Sequence, residues 1–259
     1  MIMNEQKPLV VIGDVHGMRI WEKIVSKHPN CKYIFLGDYN DPINKIEDID
    51  VLDNFKRIIQ FKHENIDDTV LLIGNHDIHY MRRDVGICSR FNIRLEDRLF
   101  ELFDRYNSYF VNAHQEGNIL FTHAGATEEW FSRSFKAESR DNAAYQLNHL
   151  TEWQSSTDVL LDCGTYRGGL HKYSGILWAD KREMKYPLEG YIQVVGHSRV
   201  NKIAIKTSKA HKGIEKPAAC IFCDSLHKDK YLYINPNKPI EERFLCLSID
   251  KAEQYFLEI

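Results

Sequence analysis

Short apolar runs alternate along the chain with stretches whose apolar positions recur every three or four residues. Leu9-Val10-Val11-Ile12 predicts a buried strand. Ile20, Trp21, Ile24 and Val25 mark one face of a short helix that ends before Pro29. Tyr33-Ile34-Phe35-Leu36 predicts a second strand, and Leu52, Phe55, Ile58 and Ile59 give the next helix its stripe. Thr69-Val70-Leu71-Leu72-Ile73 predicts a third strand. Strands alternating with helices imply a largely parallel sheet whose carboxyl-end loops share one edge. Leu95, Leu99, Leu102, Phe103 and Tyr106 mark a further helix. Runs at 109–113 and 119–122 flank Gln115-Glu116-Gly117-Asn118, which reads as a hairpin turn. Residues 127–173 are helical and loop-like, an expected cap-like segment. A strand at 192–195 follows, then candidates at 203–206, 218–223, 231–234 and 244–249, which suggest an antiparallel second sheet.

The strands share an ending. Five times an apolar run meets a glycine beside a residue that binds metals: Gly13-Asp14-Val15-His16-Gly17, Gly37-Asp38-Tyr39-Asn40-Asp41-Pro42, Gly74-Asn75-His76-Asp77, His123-Ala124-Gly125 and Gly196-His197-Ser198. Residues two apart in extended chain point the same way, so Asp14 and His16 can converge on one ion. The collected set is Asp14, His16, Asp38, Asn75, His123 and His197. Mixed carboxylate, amide and imidazole ligands suit manganese, iron or zinc. Six are too many for one catalytic ion that keeps a position open, but suit two divalent ions sharing a carboxylate. His76, beside a ligand, is free to protonate a leaving oxygen, and Asp41 to hold its imidazole. Because these residues run from Asp14 to His197, both sheets are expected to belong to one domain, 1–259.

Composition removes several function classes. Hydrophobic residues at 43% and charged residues at 27% describe an ordinary globular protein. A net charge of −3 argues against a nucleic-acid coat or a surface adapted to acidic membranes. The start lacks an apolar core of signal-peptide length, no run could span a bilayer, and six scattered cysteines form no disulfide framework. A cytoplasmic protein with reduced thiols is expected. Cys220 and Cys223 have metal-like spacing but sit in an apolar strand candidate without a second pair, and His114, His149, His171, His211 and His227 need no special role.

The five motifs, in this order, resemble those of the calcineurin-like metallophosphoesterases, in particular the phosphoprotein phosphatase branch, over roughly residues 8–225. The resemblance implies a four-layer αββα sandwich of two mixed sheets with a metal pair at one edge. Asp14, His16 and Asp38 match the first metal's ligands, with Asp38 bridging; Asn75, His123 and His197 match the second's, and His76 and Asp41 match the catalytic dyad. The branch usually carries a phosphate-gripping arginine one residue after the position of Asp41, where this chain has Pro42. Arg182, Arg167 and Arg82 are candidates for that task. Asp77 stands where protein phosphatases usually have glutamate and dinucleotide hydrolases aspartate. The expected activity is hydrolysis of phosphomonoesters, serine/threonine protein phosphatase-like, by direct attack of metal-bound hydroxide, with two divalent ions, most simply manganese. The substrate would be a phosphoprotein, nucleotide or small phosphoester; neither a nucleic acid nor a membrane is an expected partner. Symmetrical diadenosine tetraphosphate hydrolysis is the alternative, and an inert binding protein of the same fold a second.

Overall fold

The first apolar run forms β1 (Leu9–Ile12), buried along its whole length, in a computed structural model that describes residues 5–208, 218–249 and 254–259. The chain continues through α1 (Ile20–Lys27) to β2 (Lys32–Phe35) and through α2 (Asp48–Glu64) to β3 (Thr69–Leu72). From there α3 (Asn75–Met81) and α4 (Glu96–Arg105) lead to β4 (Phe110–Val111). Helical crossovers allow these four strands to pair in parallel, and they do. The loops that follow β1, β2 and β3 therefore lie along one edge.

A second sheet begins with the antiparallel hairpin of β5 (Ala113–Glu116) and β6 (Ile119–Thr122). The segment after β6 contains a π-helical turn at Trp130–Ser134, α5 (Ala143–Asn148) and α6 (Glu152–Ser156), and leads to β7 (Ile192–Val195), parallel to β6. Then β8 (Ala204–Thr207) and β9 (Ala219–Phe222) complete the order β5-β6-β7-β9-β8. Last, β10 (Lys230–Ile234), α7 (Ile240–Arg243), β11 (Phe244–Ser248) and β12 (Gln254–Phe256) return to the first sheet, whose order is β12-β11-β10-β1-β2-β3-β4.

The run at 109–113 is not one arm of a hairpin. Phe110 and Val111 pair with or extend the first sheet beside β3, whereas the hairpin arm starts at Ala113 and includes Gln115 and Glu116. Between them the chain changes sheets, and the amides of Asn112 and Ala113 donate to the Asn148 side chain at 2.9 and 3.1 Å. The late strands also divide differently from expectation. β8 and β9 join the second sheet, with β9 parallel to β7, while β10 extends the first sheet antiparallel to β1 and β11 pairs antiparallel with β10. An apolar alternation says that one face is buried, not which sheet supplies the neighbour. His211 lies outside the described residues.

Alternation along the strands builds the layers. Val10, Ile12 and Phe35 pack against Trp21, Ile24, Phe55 and Phe103 of the helices on one side. Val11 and Ile34 face Phe121, Val194 and Ile221 of the second sheet. On that sheet's far side Leu120 is covered by Trp130, Phe131, Leu147 and Leu160. The result is a four-layer αββα sandwich of two mixed sheets, the architecture that the motif resemblance implies. No helix among the described residues is long and apolar enough to cross a membrane.

One ion-pair cluster ties the sheets together. Lys32 of β2 donates to Glu116 of β5 at 2.6 Å, and His114 Nε2 lies 3.1 Å from the same oxygen. The bond with His114, and that from Lys32, hold the carboxyl down to about 2 against partial burial. A depressed folded-state value contributes stability above the unfolded value of about 4.3 and loses it as pH falls. Between pH 4.5 and 2 the protein should therefore lose about 1 kcal/mol more unfolding free energy than Glu116→Gln does, after discounting for solvent screening. Urea titrations at a series of pH values check this; parallel losses would show that the cluster does not stabilise the seam.

Candidate metal centre

The loops after β1, β2, β3, β6, β7 and β9 meet at one edge of the sandwich, and crowding there explains the glycines beside the ligands. A Cβ on Gly196 would overlap the Asp14 carboxylate, and one on Gly74 would overlap that of Asp38. The backbone itself is bent to aim these side chains. His16, Asp38, Asp41 and His197 all have φ between 44° and 56°, the left-handed region, which costs non-glycine residues roughly 1 kcal/mol or more each. Hydrogen bonds hold it: the amides of Val15 and His16 donate to the Asp38 carbonyl at 3.1 and 2.7 Å. Asp77, fully buried, accepts from the amides of Asp38, Tyr39 and Gly74 at 2.8, 3.0 and 2.8 Å. Asp77 thus supports the Asp38 turn from behind.

Asp14, His16 and Asp38 present ligand atoms within 4.8 Å of one another, and so do Asp38, His123 and His197. Asp38 belongs to both groups. Asn75 joins the second, its Oδ1 lying 2.9 Å from His123 Nε2 and 2.8 Å from His197 Nδ1. His123 Nδ1 faces the Leu36 carbonyl at 2.7 Å and His16 Nδ1 that of Asn40 at 3.0 Å. Those carbonyls fix the proton on Nδ1 and leave both Nε2 lone pairs facing the site.

The electrostatics fit cations. Burial pushes His16 down to about 4 and lowers His123 and His197, so their lone pairs stay available. Burial, with the charges of Asp224 and Asp38, pushes Asp14 up; burial and Asp38 push Asp224 up to about 7. Burial also opposes ionisation of Asp38, but His123, His76 and His16 around it more than offset that and hold it low. His197 Nε2 is buried with no hydrogen-bond partner. Crowded carboxylates among neutral imidazoles form a donor set for two divalent ions.

The first turn of α3 adds His76, whose amide donates to Asp38 Oδ1 at 2.8 Å. Its Nδ1 lies 2.9 Å from Asp41 Oδ2. Asp41 is held from two further positions on α3: Tyr80 donates its hydroxyl to Oδ1 at 2.5 Å, and His79 Nε2 is 3.0 Å from Oδ2. His79 Nδ1 accepts the amide of Cys88 at 3.1 Å, so the proton of neutral His79 is on Nε2, towards Asp41. Asp41, His76 and His79 could be read as a third ligand group; His76 and Tyr80 hydrogen-bond the Asp41 carboxylate, while His79 Nε2 stands beside it at ion-pair distance. Burial opposes ionisation of Asp41, yet the contacts from His76, His79 and Tyr80 hold its pKa below the usual range. The Asp38 charge and the Asp41 bond outweigh burial at His76 and raise it.

Asp14, His16, Asp38, Asn75, His76 and His197 line a cavity of about 470 Å³. Arg167 reaches it, with Nε 2.9 Å from Asp180 and Nη2 bonded to Ser198 at 3.2 Å. It is the one residue of 127–173 in the lining; the apolar side chains of that segment pack on the second sheet. Arg182 is outside the lining: it donates to Asp180 at 2.7 Å and stacks on Tyr166, 4.4 Å from the ring centre. Arg82 pairs with Asp84 and Asp158 beside a different cavity. The lining instead includes Arg90, Arg199 and Asp224, none of them singled out in the sequence. Arg199 directly follows Gly196-His197-Ser198, and Asp224 directly follows an apolar strand, so each carried a local signal. His79, one turn along α3 from His76, was legible only through helical spacing. Arg90 carried no signal.

Cys220 and Cys223 are buried, and no disulfide is present among the described residues. A family model described as calcineurin-like phosphoesterase matches residues 7–201, which takes in every loop from Asp14 to His197. Among solved structures, the chain is similar to a cold-active protein-tyrosine phosphatase of a psychrophilic Shewanella species. Identity is 17%, coverage is 97% of this chain and 80% of that one, and the TM-score is 0.57. It is also similar to a protein serine/threonine phosphatase from Saccharomyces cerevisiae, at 13% identity, 97% and 82% coverage and a TM-score of 0.56. At such identities the likeness concerns the fold, while the family match rests on the chain itself: this protein belongs to the calcineurin-like phosphoesterases.

Proposed function

We propose that the protein hydrolyses phosphomonoesters, with one divalent ion held by Asp14, His16 and Asp38 and a second by Asp38, Asn75, His123 and His197. The observation that carries this reading is Asp38, shared by both ligand groups and bonded to the amide of His76. Bound there, two such ions would polarise a phosphoryl group and bring the pKa of a water towards ~7. The chain supplies the remainder. Asp41 fixes the His76 ring, and His76 Nε2 faces the cavity, where it can give a proton to the leaving oxygen as the ester P–O bond breaks. Arg167 stands beside His197 as an anion partner. Three imidazoles favour manganese, with iron or zinc next, over magnesium, which prefers oxygen ligands. Cysteines that form no disulfide among the described residues fit a reducing compartment such as the cytoplasm.

Asp77 does not favour a dinucleotide substrate, because it serves the Asp38 turn rather than the cavity. Phosphomonoesters therefore remain the first reading. Chelation is expected to abolish phosphate release from nitrophenyl phosphate, with manganese restoring more activity than magnesium. Full activity in protein shown by elemental analysis to be metal-free would overturn the proposal. A kcat/KM at least about a hundredfold higher for diadenosine tetraphosphate than for a phosphopeptide would move it to nucleoside polyphosphates.

A further inference from the structure

Of the three arginines that line the cavity, Arg167 is committed to Asp180, and Arg199 is exposed, with no hydrogen bond or ion pair among the described residues that aims it at the site. Arg90 differs from both. Among the described residues no carboxylate lies within ion-pair distance of it. Its Nε donates to the carbonyl oxygen of Asp41 at 3.2 Å, and its Nη2 lies 3.2 Å from His76 Nε2. Neither contact neutralises its charge, and the guanidinium lines the cavity with Asp38 and Asn75. Asp41 immediately precedes Pro42, so Arg90 reaches across from a separate loop to the turn whose own next residue has no side-chain donor.

The loop is set for this. Arg90 has φ 65°, a strained conformation for a residue with a long side chain. On either side of it the backbone is fastened to α3: the Cys88 amide to His79, and the Asn92 amide to the Tyr80 hydroxyl at 2.8 Å. His79 and Tyr80 are the same side chains that hold Asp41. One pair of side chains therefore positions both the support of His76 and the loop that brings Arg90 to it.

We propose that Arg90 grips the non-reacting oxygens of the substrate's phosphoryl group, and that His79 and Tyr80 are its positioning residues. The assignment rests on the phosphoesterase reading above. A guanidinium fork matches two oxygens of a tetrahedral dianion, and a charge with no protein counter-ion does not have to be released from one first.

The test measures binding of inorganic phosphate to the manganese-loaded protein by calorimetry, alongside steady-state kinetics with nitrophenyl phosphate. Arg90→Ala should weaken phosphate binding and raise KM roughly ten- to a hundredfold, and Arg90→Lys should recover only part of that. Arg83→Ala removes the same charge from the same loop, where Arg83 pairs with Asp97 on the surface, and should change neither quantity. Tyr80→Phe keeps the ring against Phe91 but loses the hydroxyl, so phosphate affinity and kcat should fall together. Wild-type phosphate affinity in Arg90→Ala overturns the assignment and leaves the phosphoesterase reading standing. A wild-type protein that neither binds phosphate nor releases it from any ester overturns both.

Discussion

Asp38→Asn is expected to abolish phosphate release, lowering kcat/KM by at least about a thousandfold, and to leave the protein with fewer than two bound ions. The amide keeps the size of the carboxylate and can still accept from the His76 amide. What it loses is the charge common to both ligand groups. The same change relieves Asp14, Asp77 and Asp224, each of which is raised by burial and, in part, by the Asp38 charge. Metal-free Asp38→Asn should thus melt no lower than the metal-free wild type, although metal no longer raises its melting temperature. Elemental analysis and thermal melts with and without manganese separate the two effects. Two ions and wild-type turnover in the variant would remove Asp38 from its bridging role.

His76→Asn should keep its metals and lose kcat by roughly 10²–10⁴, the usual worth of a positioned general acid. The loss should be largest for alkyl phosphates and small for nitrophenyl phosphate, whose leaving group needs little protonation. The pH profile carries the sign. Asp38 and Asp41 keep His76 protonated above its ordinary range, so the rate with alkyl phosphates should fall as pH rises through that raised value. His76→Asn should lack this limb. Equal losses across leaving groups, or an unchanged alkaline limb, would take the acid role from His76.

Legibility in the sequence followed the range of the interactions involved. The first three strands, their helices and their parallel order could be read because each apolar run, glycine and ligand lies within a few residues. The ligand candidates could be collected because one local rule places Asp14, Asp38, Asn75 and His197: a strand end, a glycine that admits a close neighbour, then a donor. His123 directly follows a strand, and its glycine, Gly125, comes just after it. The division of the last strands between sheets was not legible. Leu232 and Ile221 are equally apolar, and only tertiary packing puts them on opposite walls of the same core. The arginines were the least legible. Pro42 showed that a local arginine was missing, but which distant one approaches Asp41 depends on the path of the loop between α3 and α4. That path is fixed by His79 and Tyr80 accepting backbone amides, a role no spacing rule encodes.

The wide separation of the ligands along the chain has a consequence for how the molecule forms. Asp14 and His197 meet across 183 residues, the Asp14 carboxylate accepting the His197 amide at 3.0 Å. Closing a loop of that size is entropically costly, and it becomes favourable only when the two sheets have already found each other. The metal centre therefore cannot seed the fold; it is assembled late, as the sandwich shuts, from parts that have no mutual proximity in the unfolded chain. A cation then acts on the finished side of the barrier, slowing the escape from the native state rather than hastening its arrival.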